Sequence, residues 1–435
     1  MPAPQLAELW EEIREVLPQI QGLGPVIDGE YLHWDQLRHR QPPPGLNVRQ
    51  WWAGIKLARH HLLKPIPLLD EHGNSFVYGT PDPVLRLLHG VDRDAAGGIQ
   101  MAEEVTNPNT RDRYIINSLI EESITSSQLE GASTTSDVAK HMIRSGRPPA
   151  DRSEQMILNN YLAMRFVQEH AARPLTPAMI FTLHRIVTDQ TLDDPSKAGR
   201  FRDASDNVIV EDGFGNVLHV PPPAVQLPAR LDAMCRFAAE DPIDDFMHPV
   251  VRALILHFWI GFDHPFVDGN GRTARALFYW SMLGQGYWLA EYVSISRILR
   301  TAPGQYSRSF AYSESDGNDL TYFLLHQLQV FRRGITELRE YLSRKMAEVR
   351  HVEALLRTSA AFNHRQLALL SHALKHPGHR YTIQSHQQSH NVAYQTARTD
   401  LLDLAARTLL IQRKAGKAFT FTSPADLSVR LERAG

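Results

Sequence analysis

The periodicity of apolar and polar positions divides the chain into three stretches. Over residues 1–107 the pattern is mixed but mostly helical. The run Pro42, Pro43, Pro44 breaks the chain, and an amphipathic helix follows through Trp51, Trp52 and Ile55. The segment "IPLLDEHGNSFVYG" then reads as a short hairpin turning at His72, Gly73 and Asn74. The two tryptophans are expected to pack against a neighbouring domain rather than to form a ligand cage.

From residue 108 to 345 apolar residues recur at helical spacing. The segments lie near 110–130, 152–170, 176–190, 224–240, 246–263, 272–286, 294–315 and 319–346. One stretch breaks the period. "NVIVEDGFGNVLHVPPP" alternates through Val208, Ile209 and Val210, turns between Asp212 and Asn216, and returns through Val217, Leu218 and Val220. This predicts a β-hairpin within 206–222, ended by Pro221–Pro223. An isolated hairpin buries little surface, so it is expected to pair with something else.

Residues 346–435 return to short helices, near 363–375, 381–390 and along "VAYQTARTDLLDLAARTLL". Two short strands about Ala415 and Gly416 follow, which gives the element order of a winged helix-turn-helix. The expected fold class is therefore mainly α: a helical N-terminal region, a helical core with an inserted hairpin, and a C-terminal winged-helix domain.

Composition narrows the classes. At 435 residues, two or three domains are expected. The net charge of −2 excludes a protein that is basic throughout, so a nucleic-acid role needs a local patch. Residues 380–420 supply one, with six Lys or Arg against two Asp. Tyr394, Gln395, Thr396 and Arg398 open the expected recognition helix there, which makes DNA a partner to consider beside protein. A single cysteine, Cys235, excludes an internal disulfide and points to a reducing compartment. The first twenty residues carry acids early and lack a signal-peptide pattern. "VVRALILHFWIGF" is interrupted by Arg252 and His257 and is too short to span a bilayer. The expectation is a cytoplasmic protein with no membrane partner.

The chemistry concentrates in "HPFVDGNGRTAR", His264 to Arg275. Gly269, Asn270 and Gly271 stand before a helix, where backbone N–H groups and the helix dipole cradle phosphate oxygens. Arg272 and Arg275 are three apart and project from one face. Asp268 is placed to hold a magnesium ion that bridges phosphates. His264 can take a proton from an incoming hydroxyl. A lone "DGNG" would read as a turn; the full set in register reads as attack on a nucleotide phosphate. His184 and His248 are expected as packing or surface groups. Tyr306, after Arg297 and Arg300, is a candidate for shaping an adenine pocket or for core packing, and Arg202 for fixing the hairpin base or for facing solvent.

These twelve residues resemble the Fic motif, His-x-Phe-x-(Asp/Glu)-Gly-Asn-Gly-Arg-x-x-Arg, at every specified position. The resemblance extends over residues 108–345, including "GRFR" before the hairpin and "ISRILRTAPGQYSRSF" after the motif. It implies transfer of AMP from ATP to a Ser, Thr or Tyr hydroxyl of a target protein, with self-modification as a further outcome. On that resemblance His264 is the base, Phe266 a buried anchor and Asp268 the Mg2+ ligand. Gly269, Asn270 and Gly271 hold the α-phosphate, and Arg272 and Arg275 the β- and γ-phosphates. The hairpin, through Val208, Ile209, Val210 and Leu218, resembles the flap that docks a target segment by strand addition. The motif "SSQLEGAS" is similar to the family's inhibitory pattern, with Ser126, Glu130 and Gly131 at its specified positions. A carboxylate at 130 would then pair with Arg275 and displace the γ-phosphate. Some relatives use that glutamate to position water for removing AMP, and some form homodimers. The alternative is a nucleotide-sensing, DNA-binding transcriptional regulator. It has no evident need for His264, and the enzyme reading is therefore preferred.

Overall fold

Helix starts follow the caps written in the sequence. Asn47 accepts from the Gln50 N–H while the Gln50 side chain accepts from the Asn47 N–H, and a helix opens over Val48–His60. Thr135, Asp151 and Thr176 cap three later helices with their side-chain oxygens. The computed structural model describes residues 3–96, 108–211, 215–239, 246–358, 361–376, 378–415 and 418–434.

The N-terminal part contains α1 (Leu6–Ile13), α2 (Val48–His60), the antiparallel hairpin β1 (Lys64–Leu69) and β2 (Ser75–Tyr78), and α3 (Asp82–Val91). Four helices follow: α4 (Pro108–Leu129), α5 (Ser136–Ser145), α6 (Arg152–Glu169) and α7 (Pro177–Thr188). A short hairpin, β3 (Val210–Glu211) and β4 (Val217–His219), leads to α8 (Leu227–Ala239), α9 (Pro249–Asp263) and α10 (Asn270–Gly284). The helices α11 (Ile295–Thr301), α12 (Pro303–Ser315) and α13 (Thr321–Thr358) complete this series. The chain packs as two units, Met1–Gly98 with Ser118–Ile335, and Ile99–Asn117 with Thr336–Gly435.

The first unit is organised on α9 and α10. Both are buried on almost every side, which accounts for the near-continuous apolar run of α9. Phe258 packs with Phe310 and Phe323 at centroid distances of 4.9 and 5.2 Å. Phe76 of β2 joins the same cluster, 4.8 Å from Phe262, so the N-terminal hairpin is seated on α9. Trp51 and Trp52 are buried within the N-terminal cluster of residues 3–55 itself, not against a neighbouring domain. The Trp52 Nε1–H donates to the Pro4 carbonyl at 3.0 Å.

In the second unit α14 (His364–Lys375), β5 (Arg380–Thr382), α15 (Ile383–His390) and α16 (Tyr394–Ala406) precede β6 (Ile411–Ala415), β7 (Ala418–Thr422) and α17 (Leu427–Ala434). The sheet has the order β5-β7-β6. Leu370, Leu401, Leu404 and Phe421 are fully buried at its core.

Several expectations change. The helix α5 was absent from the periodic pattern. The 294–315 segment is two helices, broken at Ala302 before Pro303, where proline disfavours helix in the preceding residue. The helix expected to end near 346 runs to Thr358. Strand β3 is shorter than expected: Val208 and Ile209 lie outside it, after a left-handed Asn207. The turn expected at Asp212 and Gly213 lies outside the described residues. The strand β5 and the helices α3 and α17 were also not anticipated.

Replacing Trp52 by Ala should cost about 3–5 kcal/mol of stability, the usual range for emptying a buried aromatic site. Urea unfolding checks this, and an unchanged midpoint would contradict the central place of Trp52.

Candidate active site

The loop between α9 and α10 carries the candidate residues. His264 ends α9 in the left-handed conformation, φ 43°, with its N–H donating to Ile260 O at 3.0 Å. Its Nδ1 lies 3.2 Å from the Gly261 carbonyl. A carbonyl can only accept, so Nδ1 carries the hydrogen and Nε2 keeps a lone pair. Burial lowers the imidazole pKa to about 4, which keeps it neutral near pH 7. The Arg202 side chain holds the loop from outside: its Nε donates to the His264 carbonyl at 2.8 Å and its Nη2 to the Pro222 carbonyl. One buried guanidinium thus joins the base of the β3–β4 hairpin to the backbone of His264.

Phe266 is fully buried and stacks on the His184 ring at 3.8 Å. The His184 Nδ1 accepts from the Gly199 N–H at 2.9 Å, so its Nε2–H donates to the Asp268 carbonyl at 2.9 Å. Asn270 closes the loop: its Oδ1 accepts from the Phe266 N–H and its Nδ2 donates to the Phe266 carbonyl. The Asn270 side chain is thus committed to the loop itself. Gly269 has φ 82°, and a Cβ there would press on Thr188 Cγ2 at 2.9 Å. Glycine is required on both grounds.

The first turn of α10 has the makings of an anion cradle. Arg272 is fully buried; its Nη1 donates to the Val187 carbonyl, while its Nε and the Thr273 hydroxyl have no partner among the described residues. Buried polar groups left open in this way are available to a ligand or a water. Asp268, partly exposed, is 3.5 Å from Arg272 Nη2 and accepts the Gly269 N–H. A magnesium ion normally takes one or two carboxylates and completes its shell with phosphates and water, so Asp268 fits that role. No group of three or more His, Cys, Asp or Glu suited to a metal exists among the described residues.

Arg275, 1% exposed, reaches across to the end of α4. Its Nε donates to Ser126 Oγ at 2.9 Å, and its Nη2 to the Ser126 carbonyl at 3.1 Å and to Glu130 Oε1 at 2.7 Å. Burial opposes the guanidinium charge, but the facing carboxylate outweighs it, and the pKa is raised. Gly131, φ 93°, turns the chain away just beyond. Glu130 Oε1 lies directly over Gly271, where any added Cβ would collide with it. The carboxylate therefore occupies the face of the helix start that an anion would approach.

The structure brings Ser126, Glu130, His264, Asp268, Gly269, Asn270, Gly271, Arg272 and Arg275 together. Val210 and Leu218 lie on the neighbouring hairpin and Val208 and Ile209 in the segment just before it, with Ile209 and Leu218 exposed. The Tyr306 hydroxyl is 2.7 Å from His257 Nε2, and burial raises its pKa to about 12. His248 pairs with Asp92 at 2.9 Å. Sequence reasoning missed Glu122, a buried carboxylate on α4 that accepts from Ser294 Oγ at 2.8 Å and from the Ser296 N–H at 3.1 Å. Its signal was its spacing, one helical step of four before Ser126 and thus on the same face.

Residues 174–282 match the Fic/DOC family, so the chain carries a Fic domain there. The protein adenylyltransferase Fic of Nematostella vectensis is 28% identical over 171 residues, covering 37% of this chain and 37% of that protein. The protein of the same name from Drosophila erecta is 28% identical over 206 residues, covering 46% of this chain and 39% of its own length. The chain thus spans well under half the length of these curated relatives. In fold it is similar to a Fic family protein from Desulfovibrio desulfuricans G20, with a TM-score of 0.53 and 20% identity, over 79% of this chain and 97% of that one.

Burial lowers the pKa of His33 and His257 to about 3 and of His184, His264 and His326 to about 4. An unfolded histidine takes up its proton near 6.5, so folding excludes protons between that value and 4. Stability should hold above pH 6.5 and fall as the pH drops toward 4. Melting temperatures from pH 8 to 4.5 check the sign, and a protein that gains stability on acidification would contradict it.

Proposed function

We propose that this Fic-domain chain is a protein adenylyltransferase, moving AMP from ATP to a Ser, Thr or Tyr hydroxyl of a protein, and that Glu130 restrains it. The observation that carries the proposal is the placement of Glu130 over Gly271 while bound to Arg275. A carboxylate there stands where a nucleotide phosphate would lie. The curated relatives named as protein adenylyltransferases support the reaction class.

The chemistry assigned to the chain's own residues is direct. The target hydroxyl oxygen attacks the α-phosphorus, its proton passes to His264 Nε2, and the bond to the pyrophosphate oxygen breaks. Nδ1, fixed on the Gly261 carbonyl, keeps the ring oriented throughout. The N–H groups at the start of α10 would receive the α-phosphate oxygens, with Arg272 and Arg275 on the departing pyrophosphate. Asp268 would hold Mg2+, which when bound offsets phosphate charge. With Glu130 on Arg275 the terminal phosphate loses its cation, and the α-phosphate is not aligned for attack. Release of Glu130 shifts the population to the competent state.

A second reading concerns the C-terminal unit, proposed as a winged helix that contacts duplex DNA. Its support is that Tyr394 and Gln395 at the start of α16, and Arg413 and Lys414 of β6, are exposed. Binding that weakens steeply with salt would bear this out. No binding to duplex DNA at low salt would remove it.

Incubation with ATP labelled at the α-phosphate tests the main proposal. Glu130→Gly should raise label on the protein itself by at least about ten-fold, a shift of only about 1.4 kcal/mol. His264→Ala in that background should lower it by a factor of about 10²–10⁴. No label in Glu130→Gly, with ATP still bound, would defeat the proposal.

A further inference from the structure

A cleft of about 400 Å³ opens between β4, the β1–β2 turn and the end of α12. Four consecutive residues of β4 and its continuation line it, from Val217 to Val220. Side chains along a strand alternate between faces, so contact with consecutive residues means that the cleft faces the strand's edge. Among the described residues β4 has only β3 as a strand partner, so one of its edges is left without a strand. Val217 and Val220 are more than half exposed beside it.

The cleft leads to the candidate base. Phe262, on its floor, is two residues before His264 at the end of α9. Pro222, also lining it, gives its carbonyl to the same Arg202 that holds the His264 carbonyl. A segment lying along the edge of β4 toward His264 would therefore pass the mouth of the cleft.

Its charge selects the occupant. Among the described residues three carboxylates line it, those of Asp70, Glu71 and Glu314, and neither lysine nor arginine does; Arg230, behind Phe262, is already paired with Asp263. Asp70 is committed to its own turn, accepting from the N–H groups of His72 and Asn74 and from Asn318 Nδ2. Glu314 is matched by His219, which touches Glu314 Oε2 through Nδ1 at 2.8 Å and the Phe262 carbonyl through Nε2 at 2.7 Å. Glu71 is mostly exposed and has only the ring of His72 near it, at 3.5 Å, among the ion pairs of the described residues. The cleft therefore keeps a negative excess above an apolar floor. A lysine or arginine suits both, since its methylene stem covers apolar surface while its head stays at the carboxylates.

We infer that this cleft binds a lysine or arginine side chain flanking the accepting hydroxyl, so that the substrate class is an extended protein segment with a basic residue beside its Ser, Thr or Tyr. The inference rests on the AMP-transfer reading above and adds to it a rule of target choice. Glu71 is its specificity-determining residue.

The test uses the full chain carrying Glu130→Gly, ATP labelled at the α-phosphate, and short synthetic peptides. Each peptide holds one acceptor hydroxyl, with Arg, Ala or Glu placed in turn at every flanking position. Arg at one position should raise kcat/KM over Ala by roughly five-fold, the upper end for a solvent-accessible ion pair. Glu at that position should lower it. Adding Glu71→Lys should abolish the preference while leaving self-labelling and the KM for ATP unchanged. Self-labelling with no peptide preference, or a preference that survives Glu71→Lys, would overturn the inference alone. Label on neither peptide nor protein would instead defeat the transfer reading, and the inference with it.

Discussion

A guanidinium that is 1% exposed cannot stay charged without partners, and this constraint organises the candidate site. Arg275 finds its partners on α4, in the Ser126 hydroxyl and carbonyl and in the Glu130 carboxylate. The start of α10 and the end of α4 are therefore fixed on each other through one cation. Glu122 adds a second tie from the same face of α4, to the residues that open α11. The Arg275 contact depends on α10 being buried on nearly all sides. A surface helix would let its arginines turn to water.

The same cation stands at the anion-receptive end of α10, and two roles follow from one interaction. Removing a partner from a buried charge is costly because the remaining charge is left uncompensated, although the partly exposed Glu130 makes that cost smaller here. Exchanging the carboxylate for a phosphate avoids most of that cost, since the guanidinium remains paired with an oxyanion. On the function proposed above, Glu130 and the nucleotide's terminal phosphate are alternative partners of one site. The protein then needs no large rearrangement to change state, only a shift in which anion Arg275 holds.

Much of this was legible in the chain, for identifiable reasons. The 3.6-residue period located most helices, and the Gly-Asn-Gly turn flanked by His264 and Arg272 marked the site. What was missed depends on distant partners or on weak local signals. Arg202 was a candidate for the hairpin base, but its hold on the His264 carbonyl, 62 positions away, was not foreseen, nor was the tie of Glu122 to Ser296, 174 positions away. The spacing of Glu122 to Ser126 marks a shared helix face and not the distant partner. The strand β5 exists because Arg380–Thr382 pair with β7, some forty residues on, which three residues cannot announce. The helix α13 outran its expected end because no proline or glycine stands between Ile335 and Thr358 to stop it. The β3–β4 hairpin fell short of its alternating pattern because Asn207 is left-handed and the Arg202 contact holds the chain at Pro222. Alternation marks which faces residues share, and it does not fix how many of them pair.

The central claim is that Glu130 and a terminal phosphate compete for Arg275. Calorimetric titration of the wild-type chain and of Glu130→Gln with ATP and with AMP, both with magnesium, tests it most directly. The account predicts that the substitution tightens ATP by about ten-fold, equivalent to about 1.4 kcal/mol, and leaves AMP, which has no terminal phosphate to compete, nearly unchanged. Equal effects on both nucleotides, or none on either, would contradict it.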